Sequence, residues 1–187
     1  MAASSAVLVS LEEYLHTSYR PDRDWIDGEV KERNVGEQPH AGVQGFLVRL
    51  LGNRGLEWNV WALPEQRVEV SAKRYRVPDV CAVRRDSGYE AIVRRAPLLC
   101  IEILSRDDRM SEILARVEDY LAMGVEAVWV IDPWRRRAYT AVRPGSLEGA
   151  GEALTVGGTA IRVAVGEIWA ELDAMGCVGA EGEEPVG

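Results

Sequence analysis

The sequence predicts an α/β protein in which a mixed β-sheet is flanked by helices. Short, strongly apolar segments rich in valine and isoleucine predict strands, and segments with apolar residues at i, i+3, i+4 and i+7 predict amphipathic helices. These segments follow one another in the order helix, hairpin, helix, strands, helix and strands. Such an order is typical of a sheet with helices on its faces.

The composition indicates one soluble domain. The chain has 187 residues, of which 47% are apolar and 28% charged. We expect the domain at residues 1–172 and a flexible acidic tail at 173–187. No apolar run approaches the roughly 20 residues that cross a membrane, and the N-terminus lacks the basic start of a signal peptide. We therefore expect no membrane contact and a cytoplasmic location.

The first helix and a hairpin are marked by local signals. Ser10 and Glu13 form a capping box, which predicts a helix at about 11–17. The segment RDWIDGEVKER predicts a hairpin whose tight turn is formed by Asp27 and Gly28.

Pro39 fits the first turn of a second helix. The apolar stripe of this helix consists of Val43, Phe46, Leu47, Leu50 and Leu51, and Gly52 and Gly55 end it. Strand-like segments follow at 58–63, 66–72 and 75–83. Pro78 cannot donate a ladder hydrogen bond, so it marks an edge or a bulge within the last of them.

The segment PLLCIEILS at 97–105 predicts a central strand, because it is apolar on both faces. A polar loop or short helix at 84–96 precedes it. After it, Ser111 can cap a helix at about 112–123 that Gly124 ends. The remaining predicted elements are strands at 127–132, 136–143 and 159–165 and a helical turn at 167–172.

Glu102 lies in the middle of this apolar strand. An isolated buried charge costs several kcal/mol, so Glu102 should be protonated, paired with a cation or bound to a metal. Asp79, after Pro78, begins another apolar stretch and is a second buried carboxylate candidate. Two such carboxylates suit Mg²⁺, but each could instead pair with a nearby arginine.

Charge is unevenly distributed along the chain. The net charge of −8 argues against indiscriminate nucleic-acid binding. However, residues 73–116 hold ten basic and seven acidic side chains, around Glu102. This basic window is either a binding surface or an ordinary solvated face.

Several motifs in this order resemble the Uma2 (DUF820) family of putative restriction endonucleases, within the PD-(D/E)XK nuclease superfamily. They cover about residues 10–135 and are LEEYL, DWIDGEV, His40 at a helix start, RVPDV, IEILS and EDYLAMGVEAVWVIDP. The resemblance implies a restriction-endonuclease-like core with Asp79 and Glu102 as metal ligands. It also implies hydrolysis of DNA phosphodiester bonds with Mg²⁺ or Mn²⁺.

The chain departs from the superfamily pattern at the active-site lysine. Leu104 stands two residues after the second acid, and the alternative family position on the following helix holds Arg116. Arginine stays protonated and cannot act as a general base, but it can contact a phosphate. Arg116 could alternatively be a surface residue paired with Glu112 at i−4. The resemblance also brings His40 to the site, where it could hydrogen-bond a phosphate or a metal-bound water.

Other polar residues receive plainer interpretations. We expect His16 at the surface and Asp132 as a cap of the turn after its strand. Asp24 and Glu29 could each add a carboxylate to the site, but the simpler interpretation is that both are exposed acids of the hairpin. Tyr120 and Trp129 are interpreted as core aromatics.

Three hypotheses about function follow. The first is a Mg²⁺-dependent endonuclease that acts on DNA, with Asp79, Glu102, Arg116 and His40 at its site, and pairing into a homodimer or higher homo-oligomer would suit duplex cleavage. The second is a catalytically impaired nuclease-fold module that binds nucleic acid or protein. A hydrolase with Cys81 or Cys100 as nucleophile is disfavoured, because both lie in apolar strands.

Overall fold

A computed structural model of the chain describes residues 8–33 and 37–177. The α-helices of these ranges are α1 (Leu11–His16), α2 (Gln38–Asn53), α3 (Met110–Met123) and α4 (Val165–Ala174), and a single-turn 3₁₀-helix spans Arg85–Ser87. Their strands are β1 (Asp24–Ile26), β2 (Glu29–Lys31), β3 (Val60–Pro64), β4 (Val68–Ser71), β5 (Arg74–Arg76), β6 (Val80–Arg84), β7 (Leu99–Ile103), β8 (Ala127–Asp132), β9 (Arg137–Ala141), β10 (Glu148–Gly149), β11 (Ala153–Thr155) and β12 (Arg162–Ala164).

The main sheet has the strand order β10-β9-β8-β7-β6-β3. Strands β7 and β8 are parallel and are joined by α3, and the other neighbours are antiparallel. This mixed sheet with helices on its faces confirms the predicted fold class. Strand β7 lies inside the sheet and every one of its residues is buried, as its apolar sequence predicted.

The two faces of the main sheet are covered by different elements. Ile101 and Ile103 point to the face that packs against α2, α4 and the hairpin of β11 and β12. Cys100 and Glu102 alternate to the other face, which is covered by α3 and β4. The sheet therefore buries Glu102 beneath α3.

A second sheet, in the order β2-β1-β5-β4, carries the predicted hairpin. The turn residues Asp27 and Gly28 have φ angles of 49° and 95°, as the Asp-Gly signal predicted. Helix α1 packs on this sheet through a cluster of Tyr14, Trp25 and Tyr75. The hydroxyl group of Ser10 accepts the N–H of Glu13 at 3.1 Å, so the predicted cap is also present.

Three predicted boundaries differ from the structure. The segment 75–83 is not one strand, because Pro78 separates β5 and β6, which belong to different sheets. Helix α3 begins at Met110 and has no side-chain cap, so the prediction for Ser111 was wrong. Helix α4 continues to Ala174, beyond the domain end predicted at residue 172. Most of the predicted tail, residues 178–187, lies outside the described ranges.

None of the helices within the described ranges combines the length and the apolar character that crossing a bilayer requires.

Candidate active site

The strand register brings Asp79 and Glu102 together. Strands β6 and β7 are antiparallel neighbours with Val80 opposite Ile101, so Asp79, just before β6, lies beside Glu102. The two residues are only 2% and 1% exposed, respectively. Their side chains point to the face covered by α3, where water cannot stabilise their charges.

Asp79 is held as a carboxylate by donors from three parts of the chain. Its Oδ2 atom accepts the backbone N–H of Ile103 at 2.6 Å, and the Nε2 atom of His40 lies 3.4 Å from the same oxygen. Its Oδ1 atom accepts a hydrogen bond from Arg33. Burial alone would raise the pKa of Asp79, but Arg33, His40 and the N–H of Ile103 together lower it to about 2.

Glu102 is bound by two side chains of α3. Arg116 donates to its Oε2 atom at 2.9 Å, and the hydroxyl group of Tyr120 donates to its Oε1 atom at 2.6 Å. Arg116 and Tyr120 are four residues apart and so share one face of the helix. Burial nevertheless raises the pKa of Glu102 above its usual value; Arg116 opposes this effect and Asp79 adds to it. The neighbouring carboxyl groups therefore have pKa values shifted in opposite directions.

Arg33 lies between the two carboxylates. Its Nη2 atom bonds to Asp79 and is also 3.8 Å from the Oε2 atom of Glu102. Its Nε atom is buried and has no hydrogen-bond partner within the described ranges. Burial alone would lower the pKa of Arg33, but Asp79 and Glu102 outweigh it and raise that pKa. The guanidinium group thus acts as a shared counter-ion.

A second set of ion pairs adjoins this one. The carboxylate of Asp24 accepts hydrogen bonds from the side chain of Arg76 at 2.8 Å and from the backbone N–H of Val77 at 3.0 Å. Arg76 also donates to Asp119 of α3 at 2.6 and 2.8 Å. The Nε atom of Arg116 is 3.7 Å from Asp24 and connects the two sets. The resulting network joins the hairpin, both sheets and α3.

The model of the Uma2 family, described as "Putative restriction endonuclease", matches residues 11–164. The chain belongs to the Uma2 family. This match includes the N-terminal helix, the hairpin and both acids. It also extends to β12, beyond the residues 10–135 that the sequence motifs cover.

The fold of this Uma2 protein also occurs in a solved structure. The crystal structure of a "putative nuclease" of DUF820 from Anabaena variabilis covers 88% of this chain and 99% of its own, with 20% identity and a TM-score of 0.74. A cryo-electron microscopy structure of a DrdV–DNA complex covers 78% of this chain and 12% of its own, with 16% identity; its TM-score of 0.40 is too low to indicate a common fold. No match was found among curated proteins.

The four site residues expected from the sequence lie together in the Uma2 fold. His40, at the start of α2, faces Asp79, and Arg116 faces Glu102 instead of pairing with Glu112. The alternative of arginine pairing is also realised, because Arg33 and Arg116 each bind one of the acids. Their catalytic roles stay predictions.

Several residues differ from their predicted surroundings. Asp24 is buried at the network, so its simpler interpretation as an exposed acid was wrong, and it lies near the site as the alternative expected. Glu29 is only partly buried and pairs with Lys31 at the surface. Tyr120 is a core aromatic as predicted, but its hydroxyl group also donates a hydrogen bond to Glu102. Asp132 accepts the N–H groups of Trp134 and Arg135, which confirms its turn-capping role.

Sequence reasoning missed the partners Arg33, Arg76 and Asp119. The available signal was the demand for cations: two buried acids require basic partners. The need for a cation does not identify the arginine that provides it. Arg33 is distant from both acids in the sequence and follows a hairpin that looks solvated.

The cysteine hypothesis finds no support in the structure. Cys81 and Cys100 are fully buried, and burial raises the pKa of Cys81 to about 12. Both thiols therefore stay protonated, whereas a nucleophilic cysteine needs an accessible thiolate.

The donor chemistry of the site fits a divalent cation. Mg²⁺ binds hard oxygen ligands and commonly takes one or two carboxylates together with waters. The described residues contain no group of three or more histidine, cysteine or acidic side chains that could hold a metal ion. A cation here would have Asp79 and Glu102 as its protein ligands, and it would have to displace Arg33, which contacts both.

We expect Asp79→Asn to destabilise the protein by on the order of 3 kcal/mol at pH 7, because it removes one partner of a buried ion pair. The lowered pKa of Asp79 means that its carboxylate stabilises the wild type above the unfolded-state pKa, near 3.8, and that this contribution is lost as the pH falls towards 2. The deficit of the variant should therefore shrink between pH 4 and pH 2.

Urea denaturation of wild type and variant across this pH range measures the effect. Glu29→Gln, at a surface acid, is the control and should show a much smaller deficit at pH 7. A deficit for Asp79→Asn that stays constant down to pH 2 would contradict the assignment.

Proposed function

We propose that this Uma2 protein is a metal-dependent endonuclease that hydrolyses DNA phosphodiester bonds, with Mg²⁺ or Mn²⁺ held by Asp79 and Glu102. The observation that carries the proposal is the convergence of two buried carboxylates, from neighbouring strands, on one cationic group. Membership in the Uma2 family supports a nuclease.

The residues around the acids suit phosphodiester chemistry. A divalent ion at the carboxylates would stabilise negative charge on the reacting phosphate and make water a better nucleophile. Arg116 is permanently charged and can bind a phosphate oxygen while it orients Glu102. The Nε2 atom of His40 lies 3.4 Å from Asp79, and the ring can hydrogen-bond the phosphate or a water molecule.

We expect purified protein to cleave DNA with Mg²⁺ or Mn²⁺. Asp79→Asn and Glu102→Gln should each reduce the rate by at least about 100-fold, because even substitutions beyond the ligands of a metal site commonly cost 10–100-fold. Cleavage of labelled single- and double-stranded DNA and RNA, with metal or with EDTA, checks this expectation.

Glu29→Gln removes a charge outside the site and should leave the cleavage rate unchanged. Cleavage that persists in EDTA would contradict metal dependence. The absence of cleavage on every substrate would contradict the proposed activity.

Arg33 and the metal ion would be alternative partners of the same carboxylates. We expect Arg33→Gln to bind Mn²⁺ more tightly by roughly tenfold, or about 1.4 kcal/mol, because the ion then no longer competes with a guanidinium group. Isothermal titration calorimetry on the intact proteins measures the change directly, without relying on activity.

Arg76→Gln is the matched control, because Arg76 is also a buried arginine but its partners are Asp24 and Asp119. Its Mn²⁺ affinity should equal that of the wild type. An unchanged or weaker affinity in Arg33→Gln would refute the competition, and the double variant with Asp79→Asn should lose the gain if the ion binds at this site.

A second function is favoured by the basic partners of the acids. Both carboxylates are neutralised by arginines, and the two lysines of the chain, Lys31 and Lys73, are exposed outside the site. We propose as the alternative a nuclease-fold module that binds nucleic acid or protein without turnover.

Arg116→Lys separates these functions. An increase in metal-dependent cleavage would indicate an impaired site that lacks its lysine, because a buried lysine can lose its proton and assist water attack. A decrease from existing activity would indicate that the arginine is part of a working site. Single-turnover cleavage assays with Mg²⁺ measure either change.

A cytoplasmic location and pairing into a homodimer or higher homo-oligomer remain part of the proposal. Two-fold pairing would present two active sites to the two strands of a duplex. Sedimentation velocity measurements would determine the oligomeric state.

A further inference from the structure

A cleft of about 600 Å³ opens at the edge of the main sheet, between β3, β6 and the segment at 85–96. Trp61 of the edge strand β3 pairs with Val83 near the end of β6. Side chains two residues apart in a strand point to the same face of a sheet. Asp79, just before β6, and Cys81 and Val83 within it therefore share one face. The cleft therefore lies on the same face as the acids, about 13 Å away along the strand.

Two large aromatic rings at this cleft are accessible. Trp61 is 50% exposed and Tyr89 is 93% exposed. The guanidinium group of Arg85 lies over the Trp61 ring, 3.5 Å from its centre. One face of the tryptophan ring thus carries the positive charge of Arg85, and the half-exposed ring keeps further surface on which a flat group could stack.

The charge at the cleft is opposite to that of the whole chain. Three arginines and one glutamate line it, whereas the chain has a net charge of −8. Arg84 pairs with Glu126, and Arg95 is 3.9 Å from Glu90. Arg85, by contrast, forms no ion pair with any residue of the described ranges, so its charge is available to an anion.

We propose that this cleft binds a nucleotide unit, with the base stacked on Trp61 and the phosphate bound by Arg85. Aromatic rings stack on bases of any sequence, and a guanidinium group forms charge-assisted hydrogen bonds with phosphate. A purely apolar ligand would cover Arg85 without neutralising it. The inference goes beyond the proposed nuclease activity, because binding here requires neither Asp79 nor a metal ion. The nucleotide can belong to a single strand or be a free mononucleotide.

Fluorescence anisotropy with a short labelled oligothymidylate, in EDTA, tests this site on the full chain. Trp61→Leu should weaken binding by about tenfold, the loss expected for one stacked base, and Arg85→Gln by about tenfold through loss of the charged hydrogen bonds to the phosphate. Arg49→Gln is the matched control, because Arg49 also lies over an aromatic ring, Phe46, but on α2 at the other face of the sheet. It should bind like the wild type.

Competition with unlabelled dTMP and thymidine identifies the ligand. An oligonucleotide that binds much more tightly than dTMP assigns the cleft to a strand, and equal affinity assigns it to a free nucleotide. Thymidine should compete less well than dTMP, since it lacks the phosphate.

The proposal is overturned if Arg85→Gln and Trp61→Leu both bind like Arg49→Gln, or if neither oligonucleotide nor dTMP binds. Should Trp61→Leu fail to fold, Arg85→Gln alone decides, because it removes the charge while it keeps Trp61 and a polar side chain at position 85. Asp79→Ala should retain oligonucleotide binding while it loses any cleavage, so failure at the acids and failure at the cleft remain distinguishable.

Discussion

Two carboxylates on the covered face of a sheet require cations, and this requirement determines how the layers of the protein are joined. Asp79 and Glu102 are brought side by side by the register of β6 and β7 and are shielded from water by α3. Each buried charge would cost several kcal/mol if left alone. The compensating charges come from elements that are distant in sequence: Arg33 follows the hairpin and Arg116 lies on α3. The ion pairs therefore fix the position of hairpin and helix on the sheet, at the same place where the chemistry is proposed.

The same pairing determines what the site can do. A carboxylate that is paired with arginine can bind a metal ion only if the guanidinium group moves away. The ion pairs that stabilise the metal-free protein therefore weaken its affinity for a metal ion. The two acids are also inequivalent. Arg33, His40 and a backbone N–H together overcome burial and keep the pKa of Asp79 low, whereas burial keeps that of Glu102 raised in spite of Arg116. Groups whose environments push their pKa values apart are typical of active sites, although structural ion-pair networks also produce such shifts.

The parts of this arrangement differ in how far they could be predicted from the sequence. The central strand and Glu102 were predictable, because a carboxylate inside an apolar segment conflicts with the local pattern and must have a reason. Asp79 could be found by the same conflict and by its place after Pro78. Arg33 could not, because a polar residue after a hairpin looks solvated until the hairpin packs against other elements. Asp24 was left open between the site and the surface for the same reason. The hydrogen bond from the Tyr120 hydroxyl group to Glu102 could not be predicted either. The ring fits the apolar stripe of α3, and this pattern gives no information about the partner of the hydroxyl group.

The distribution of arginines then distinguishes two ends of one sheet face. At the acid end, arginines are paired with buried carboxylates, so their charges are balanced within the protein. At the other end of β6, Arg85 lies on Trp61 without an acidic partner in the described ranges, and the cleft beside it is open to solvent. Within the described ranges, Arg85 therefore contributes to folding through its contact with the aromatic ring and not through an ion pair. Its position is better explained by an external anion that also has a flat ring, since only such a ligand uses the aromatic surface and the charge together.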